Sequence, residues 1–451
     1  MNKILAVSAG QNEYKKETNP IKRHIRYLNY GLLGLVTVLH NDLGLDVCMA
    51  QGDNDTPSEF IERLYNRGIR IEEFECILLS IPSFYSIKWC AEFCRIINEK
   101  YKTGMIAGGR WVIDNDPEWV REKLKHVDTL IEGFGEKKLA QLLCPEKAHL
   151  IAEGGTRCFD YFDYELLLDF EKYQPSIEVS RGCGSGCAFC ADRANKRLRN
   201  KSGKDIMSEL DRLDKIYGDY SYYLEAPHFA FNKEWCREFT SEIEKRGKAK
   251  PWRCTTRVES VPIDLIGTLA KSGLKILDIG LESASHTQLK LMNKSQSPER
   301  YLNKADDILK ECAKHNVWVK FNILLFAGET YQTVNETLEW LCARRDLIKG
   351  VAVSSLVYYK GAGELDELLR KGAKLPENNK LSEVGYVDLD LSDEIDCAAA
   401  HKISVDISRK VMTKRDYFDI KSISYFERGY TYDSFEEDIA LCECEKLPFT
   451  V

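Results

Sequence analysis

Along the first 150 residues, short apolar runs alternate with longer stretches whose apolar positions recur every three or four residues. The runs are KILAVSA (3–9), LDVCMA (45–50), CILLSI (76–81), GMIAGG (104–109) and VDTLIEG (127–133). Such short apolar runs suit buried strands, whereas PSEFIERLYNRG (57–68) and IKWCAEFCRIINEKY (87–101) carry helical spacing. Strand and helix in alternation predict an α/β, doubly wound, Rossmann-like parallel sheet over residues 1–150. Ligands of such sheets lie beyond the carboxyl ends of the strands, where the chain has QGDNDTP (51–57), PSFYS (82–86) and GGRW (108–111). Gly108 and Gly109 serve either a close backbone approach to a ligand or a tight strand-to-loop turn.

A second alternating series starts at residue 176, after a connector over 151–175. Its strand candidates are SIEVS (176–180), SYYLEA (221–226), WRCTTRV (252–258), ILDIGLES (276–283), WVKFNILLF (318–326) and GVAVSSLVY (350–358). Helical patterns such as DLIGTLAKSG (264–273) and SPERYLNKADDILKECAKHN (297–316) separate them. Six parallel units predict a partial (β/α)6 barrel over 176–370, and residues 371–451 follow as a C-terminal cap.

These strands depart from the pattern of a structural barrel, whose interior is filled by Val, Ile and Leu. Polar residues two apart share a strand face. Tyr223 and Glu225 form one such set, Arg253, Thr255 and Arg257 a second, Asp278 and Glu282 a third, and Lys320 and Asn322 a fourth. Facing inward, they line a polar, charged binding cavity. Each carboxylate has a second reading as the partner of a lumen Arg or Lys.

The chain has 451 residues and a formal net charge of −7, and 44% of it is hydrophobic, enough for several buried cores. No apolar run approaches the roughly 20 residues of a membrane span, and MNKILAVSAGQ lacks the pattern of a signal peptide, so a cytoplasmic location is expected. The 16 cysteines are then mostly reduced thiols. The acidic balance gives no reason to expect nucleic acid as a partner. KRLRNKSGK (196–204), with five Lys or Arg, is read as a solvated loop or as a contact for an anionic substrate or acidic electron donor.

That basic stretch follows VSRGCGSGCAFCADR (179–193), in which Cys183, Cys187 and Cys190 have the spacing CxxxCxxC. Three close thiols suit zinc or an iron-sulfur cluster. A structural zinc site wants four closed ligands, and no fourth Cys or His lies beside this loop. A four-iron cluster on three thiolates keeps one iron open. Cys90 and Cys94, four apart on a helical stretch, read as core residues, and Cys397, Cys442 and Cys444 lack the spacing of a second cluster.

CxxxCxxC with Phe189 before its last Cys, placed after the first strand of a six-unit series, resembles the radical S-adenosylmethionine (SAM) superfamily. GLKILDIGLESASHTQLKLMNK (273–294) and FNILLFAGETYQTVNETLEWL (321–341) look like later strands of that barrel. The first 150 residues resemble the cobalamin-binding-like domain of one branch, with GGRWVID and VDTLIEGFGEKKLAQLL in comparable places.

The resemblance implies that Cys183, Cys187 and Cys190 hold a 4Fe-4S cluster whose fourth iron binds SAM. Reductive cleavage then yields a 5′-deoxyadenosyl radical that abstracts hydrogen from a small-molecule substrate, with a flavodoxin- or ferredoxin-type protein as electron donor. It also implies Phe189 near the adenine, Glu225 on the methionyl amine, Glu282 on the ribose hydroxyls or amine, Arg257 on the carboxylate, and the backbone from Phe326 to Gly328 against adenine. Tyr223, Arg253, Asp278, Lys320 and Asn322 remain for a small, polar substrate.

None of the eight histidines lies in the DxHxxG sequence through which relatives hold cobalamin, and His40 reads as a helix-surface or packing residue. Loss of cobalamin is therefore favoured over its binding without that ligand. With a cobalamin-like domain and no such motif, the chain resembles queuine lyase, which implies bond cleavage in a 7-deazaguanine during queuosine precursor salvage. The alternative is a cobalamin-dependent radical SAM methyltransferase.

Overall fold

The computed structural model describes residues 3–11, 20–109, 116–152, 159–190, 193, 195–198, 200–362 and 365–451. The chain divides into two compact units, one of residues 1–173, 359–363 and 380–386, the other of the remainder.

The first unit holds a five-stranded sheet of β1 (Lys3–Ser8), β2 (Asp46–Gln51), β3 (Cys76–Ser80), β4 (Gly104–Gly108) and β5 (Thr129–Ile131). The spatial order is β2-β1-β3-β4-β5, and the strand pairs are parallel. Chain direction across the sheet reverses between β1 and β3, which makes their carboxyl ends the switch point where this topology binds ligands. Leu5, Val7, Ile77, Leu79, Met105 and Ala107 pack with Phe60, Trp89, Phe93 and Ile97 of the covering helices, as the apolar runs require. Cys90 and Cys94 are buried in that core.

Of the residues read from sequence as a connector, 151–175, those up to Tyr173 belong to this unit. The backbone of Leu168 donates to Met49 O at 2.7 Å, Tyr173 donates its hydroxyl to Asp53, and Arg63 and Arg67 both reach the carboxylate of Asp169. The segment thereby extends the β2 edge, a long-range pairing that its irregular sequence does not signal.

The second unit holds β6 (Ser176–Glu178), β7 (Tyr222–Glu225), β8 (Trp252–Arg257), β9 (Leu274–Glu282), β10 (Trp318–Leu325) and β11 (Gly350–Ser355), paired in sequence order and parallel throughout. This is the expected partial barrel, strand for strand. Ser202 and Thr330 start the helices Gly203–Ile216 and Tyr331–Cys342 with capping boxes, which fix where each crossover begins.

The C-terminal residues pack on the barrel. The helix Cys397–Val411 lies against β11, Leu391 accepts from the backbone of Gly328 at 2.7 Å, and Lys349 pairs with Asp416 and Asp419. Among the described residues no helix is long and apolar enough to cross a membrane.

Candidate active site

The polar strand faces do point into one lumen, because their side chains meet. Arg253 on β8 donates Nε–H to Asp278 Oδ2 on β9 at 2.8 Å, Lys320 on β10 lies 3.0 Å from Asp278 Oδ1, and Lys320 Nζ donates to Asn322 at 2.9 Å. Tyr223 hydrogen-bonds Thr255, and Arg253 sits 5.2 Å and 5.0 Å from the ring centroids of Tyr223 and Tyr425. Arg253 is fully buried and also donates to Ile420 O and Ser424. Two cations hold Asp278 below the usual carboxylate range despite its burial. Arg253 lies toward the amino end of β8, four residues or roughly 13 Å below Arg257, whereas Glu225 stands only two residues above Tyr223, the ladder partner of Arg253. Asp278 thus bridges Arg253 and Lys320, leaving this triad with one positive charge in excess.

At the mouth, the cysteine loop turns on glycines at every second position. Gly182, Gly184 and Gly186 have φ of 67°, 69° and 71°, a region costly for residues with a Cβ, and a Cβ on Gly182 would collide with Lys196 O. Cys183 N donates to Asn195 O, Cys190 N to Cys187 O at 3.1 Å, and Ala188 N to Met292 O at 2.8 Å. Asn293 Nδ2 donates to Gly186 O at 2.9 Å. Arg257 Nη1 donates to Cys187 Sγ at 2.7 Å, and its Nη2 to Glu259 and to Lys294 O.

The carboxylates differ from one another. Burial lifts the Glu225 carboxyl to about 7, against the opposing hydrogen bond from Ser176 Oγ at 2.9 Å. Its ladder partner Glu178 is buried and accepts from Arg181 Nε at 2.8 Å. Glu282 ends β9 with φ of 68°, at a register shift against β10 that breaks its alternation with Asp278. Its carboxylate folds over Gly280, where a Cβ would strike it, and accepts from the buried Lys294 Nζ at 3.0 Å. His228, on the loop after β7, lies with Nε2 2.6 Å from Ser260 Oγ; burial pushes it down to about 4, so it is neutral.

Phe189 and Phe326 meet edge to face at 6.3 Å. Phe326 N donates to Glu329 Oε2, while Gly328 N is taken by Leu391 O. Burial raises Glu329 to about 7. Glu329, Gly280, Lys294 and Asn293 went unread in the sequence; LKLMNK, a short helix ending in Asn and Lys, was the only local signal for the last two.

The loop's donor chemistry, three thiols, fits an iron-sulfur cluster. Among the described residues no three Cys, His, Asp or Glu side chains converge as ligands of a single metal. Three thiols spread along one loop match a cluster in which each iron takes its own thiolate.

In the first unit, the switch point carries a closed polar rim. Asn29 donates through Nδ2 to Ser8 Oγ and Ser80 Oγ, each at 3.0 Å, and through its backbone to Gln51 Oε1 at 2.6 Å. Gln51 donates on to Tyr27 O and Asp53. Gly10 and Gly52 are in close contact, with Trp89 wedged beside both. Gly109, at φ of 144°, turns sharply against Ile81 O, so close packing accounts for it; Arg110 and Trp111 lie outside the described residues. His40 places Nδ1 2.8 Å from Leu45 O, where its ring closes the end of its own helix.

Comparison with known proteins adds three findings. Residues 177–341 match the radical SAM superfamily model. An uncharacterized methyltransferase of Pyrococcus horikoshii is 25% identical over 39% of this chain and 39% of its own length, and a ribosomal protein uS12 methylthiotransferase of Treponema denticola is 28% identical over 39% and 43%. The chain thus spans about two fifths of the curated relatives it matches. Among solved structures, the radical SAM methyltransferase TsrM of Kitasatospora setae, with cobalamin and a [4Fe-4S] cluster bound, superposes with a TM-score of 0.64 at 13% identity, covering 100% of this chain and 93% of that one. That likeness establishes the two-part fold. The expectation of a lyase acting on queuine is overturned, because these relatives and this neighbour are named methyltransferases and a methylthiotransferase.

Proposed function

Because residues 177–341 form a radical SAM domain preceded by a cobalamin-binding-like sheet, we propose that the protein is a cobalamin-dependent radical SAM methyltransferase. The observation that carries this reading is the union in one chain of a three-thiol loop at a barrel mouth and a β2-β1-β3-β4-β5 sheet with a polar switch point. The names of the curated relatives support methyl transfer over bond cleavage.

Cys183, Cys187 and Cys190 would hold the cluster. When bound, cluster and corrinoid supply an electron for SAM cleavage and a carrier for its methyl group. The chain's own residues do the positioning. Glu225, once ionised, accepts from the methionyl amine, and Lys294 holds Glu282 for the ribose hydroxyls. Phe189 and Phe326 offer an apolar edge for adenine, and Glu329 fixes the backbone of Phe326. The rim of Asn29, Ser8, Ser80 and Gln51 consists of neutral amides and hydroxyls, a donor set matched to the amide arms of a corrinoid rather than to a histidine–cobalt bond.

The substrate in this reading is a small polar molecule that meets Tyr223 and Asn322 beside the Arg253, Asp278 and Lys320 triad. In this reading a flavodoxin- or ferredoxin-type donor supplies electrons and the setting is cytoplasmic.

The test is anaerobic reconstitution with iron, sulfide and cobalamin, followed by spectroscopy and product analysis. The expected result is cluster absorption lost in Cys187→Ala, about one equivalent of retained corrinoid, and S-adenosylhomocysteine formation. A protein that keeps its cluster but retains no corrinoid and forms no S-adenosylhomocysteine overturns the reading.

A further inference from the structure

We propose that Arg257 is a positioning residue for the iron-sulfur cluster: its guanidinium donates to the Cys187 sulfur and makes the cluster easier to reduce. The inference rests on the reading that Cys183, Cys187 and Cys190 hold a cluster, and it changes the part played by Arg257 from holding the SAM carboxylate.

Arg257 is anchored on several sides. Nη1 lies 2.7 Å from Cys187 Sγ, Nη2 lies 3.0 Å from Glu259 Oε1, and the same Nη2 lies 3.1 Å from Lys294 O. The side chain is 13% exposed. A cation fixed in this way has no need to reorganise when charge appears on the sulfur.

Residues 292–294 hold both partners at once. Met292 O accepts from Ala188 N, the residue after Cys187, and Asn293, in the left-handed region at φ of 50°, donates to Gly186 O, the residue before it. Lys294 accepts Arg257 on its carbonyl and gives its ammonium to Glu282. One turn therefore sets the backbone on either side of Cys187 and the guanidinium that faces its sulfur.

The consequence is electrostatic. One-electron reduction by an external donor adds one negative charge to the cluster, spread in part onto its cysteine sulfurs. A charge-assisted hydrogen bond to such a sulfur stabilises the reduced form more than the oxidised one, so the reduction potential rises.

The experiment is an anaerobic redox titration, followed by electron paramagnetic resonance, of the reconstituted wild type, Arg257→Gln and Arg257→Lys without SAM, with SAM binding measured separately. The expected result is that Arg257→Gln lowers the reduced-to-oxidised ratio at a fixed potential about tenfold, equivalent to about 59 mV for one electron, and that Arg257→Lys recovers part of it. Coincident titrations of wild type and Arg257→Gln, with only SAM affinity reduced, overturn the proposal in favour of a carboxylate contact. If Arg257→Gln retains no cluster, Arg257→Lys decides: a potential below wild type supports the proposal, and an equal one overturns it. A wild type that takes up no cluster refutes the underlying cluster reading instead.

Discussion

Arg253 and Asp278 meet inside the barrel with both side chains removed from solvent, Nε 2.8 Å from Oδ2. Asp278 answers Arg253 and Lys320 together, so each of the three charges depends on the others. Removing one partner strands a buried charge, whereas replacing all three with apolar side chains does not.

Asp278→Ala is therefore expected to destabilise the protein by roughly 3–5 kcal/mol in denaturant unfolding, and the triple variant Arg253→Met, Asp278→Leu and Lys320→Met by much less. Unchanged stability in Asp278→Ala would return Arg253 and Asp278 to the substrate.

Glu225 titrates near neutrality, lifted to about 7 by burial. Only its ionised form attracts the methionyl ammonium, so SAM affinity is expected to rise about tenfold between pH 6 and pH 8 as the carboxyl ionises. Glu225→Gln should flatten that slope in a calorimetric titration. A wild-type affinity independent of pH over this range separates Glu225 from the amine.

Glu329 has a folded value of about 7, above that of a free carboxyl, because of burial. Its contribution to stability is full below the unfolded value near 4.5 and is lost as the pH rises through 7. Glu329→Gln keeps an acceptor for Phe326 N and is expected to melt above wild type at pH 8 and close to it at pH 4.5. Parallel melting curves across that range would refute the assignment.

Asn293 secures Gly186 O from an exposed position. Asn293→Gly, which keeps the left-handed backbone, is expected to cost about 1 kcal/mol or less of global stability, in line with one exposed hydrogen bond, yet to speed loss of the reconstituted cluster to a chelator severalfold. Equal chelation rates would remove Asn293 from the groups that hold the loop.

The first unit's five strands were legible as short apolar runs, the pattern of a parallel sheet buried on both faces, and the second unit's six as runs between helical patterns, several with polar residues on one face. The cysteine loop was legible for a similar reason: its thiols and its left-handed glycines are local in sequence. The inward placement of Tyr223, Arg253, Asp278 and Lys320 followed from two-residue alternation.

Alternation failed at Glu282, where the register shift after Gly280 turns the carboxylate onto Lys294. Periodicity carries no information about such a shift. Nor does local sequence say that Arg253 and Asp278, 25 residues apart, consume each other's charge, or that Leu391 takes the N–H of Gly328. Methyl transfer, the reading the relatives favour over cleavage, is equally absent from any motif.

Sequence by itself determined the strands, their order of appearance and the three thiols, because hydrophobic burial and backbone sterics act on neighbouring residues. Tertiary structure alone decided which charges are neutralised, which carboxyls titrate near 7, and that Arg257 faces a sulfur, because hydration loss and Coulomb attraction depend on groups brought together across 25 to 70 residues of chain.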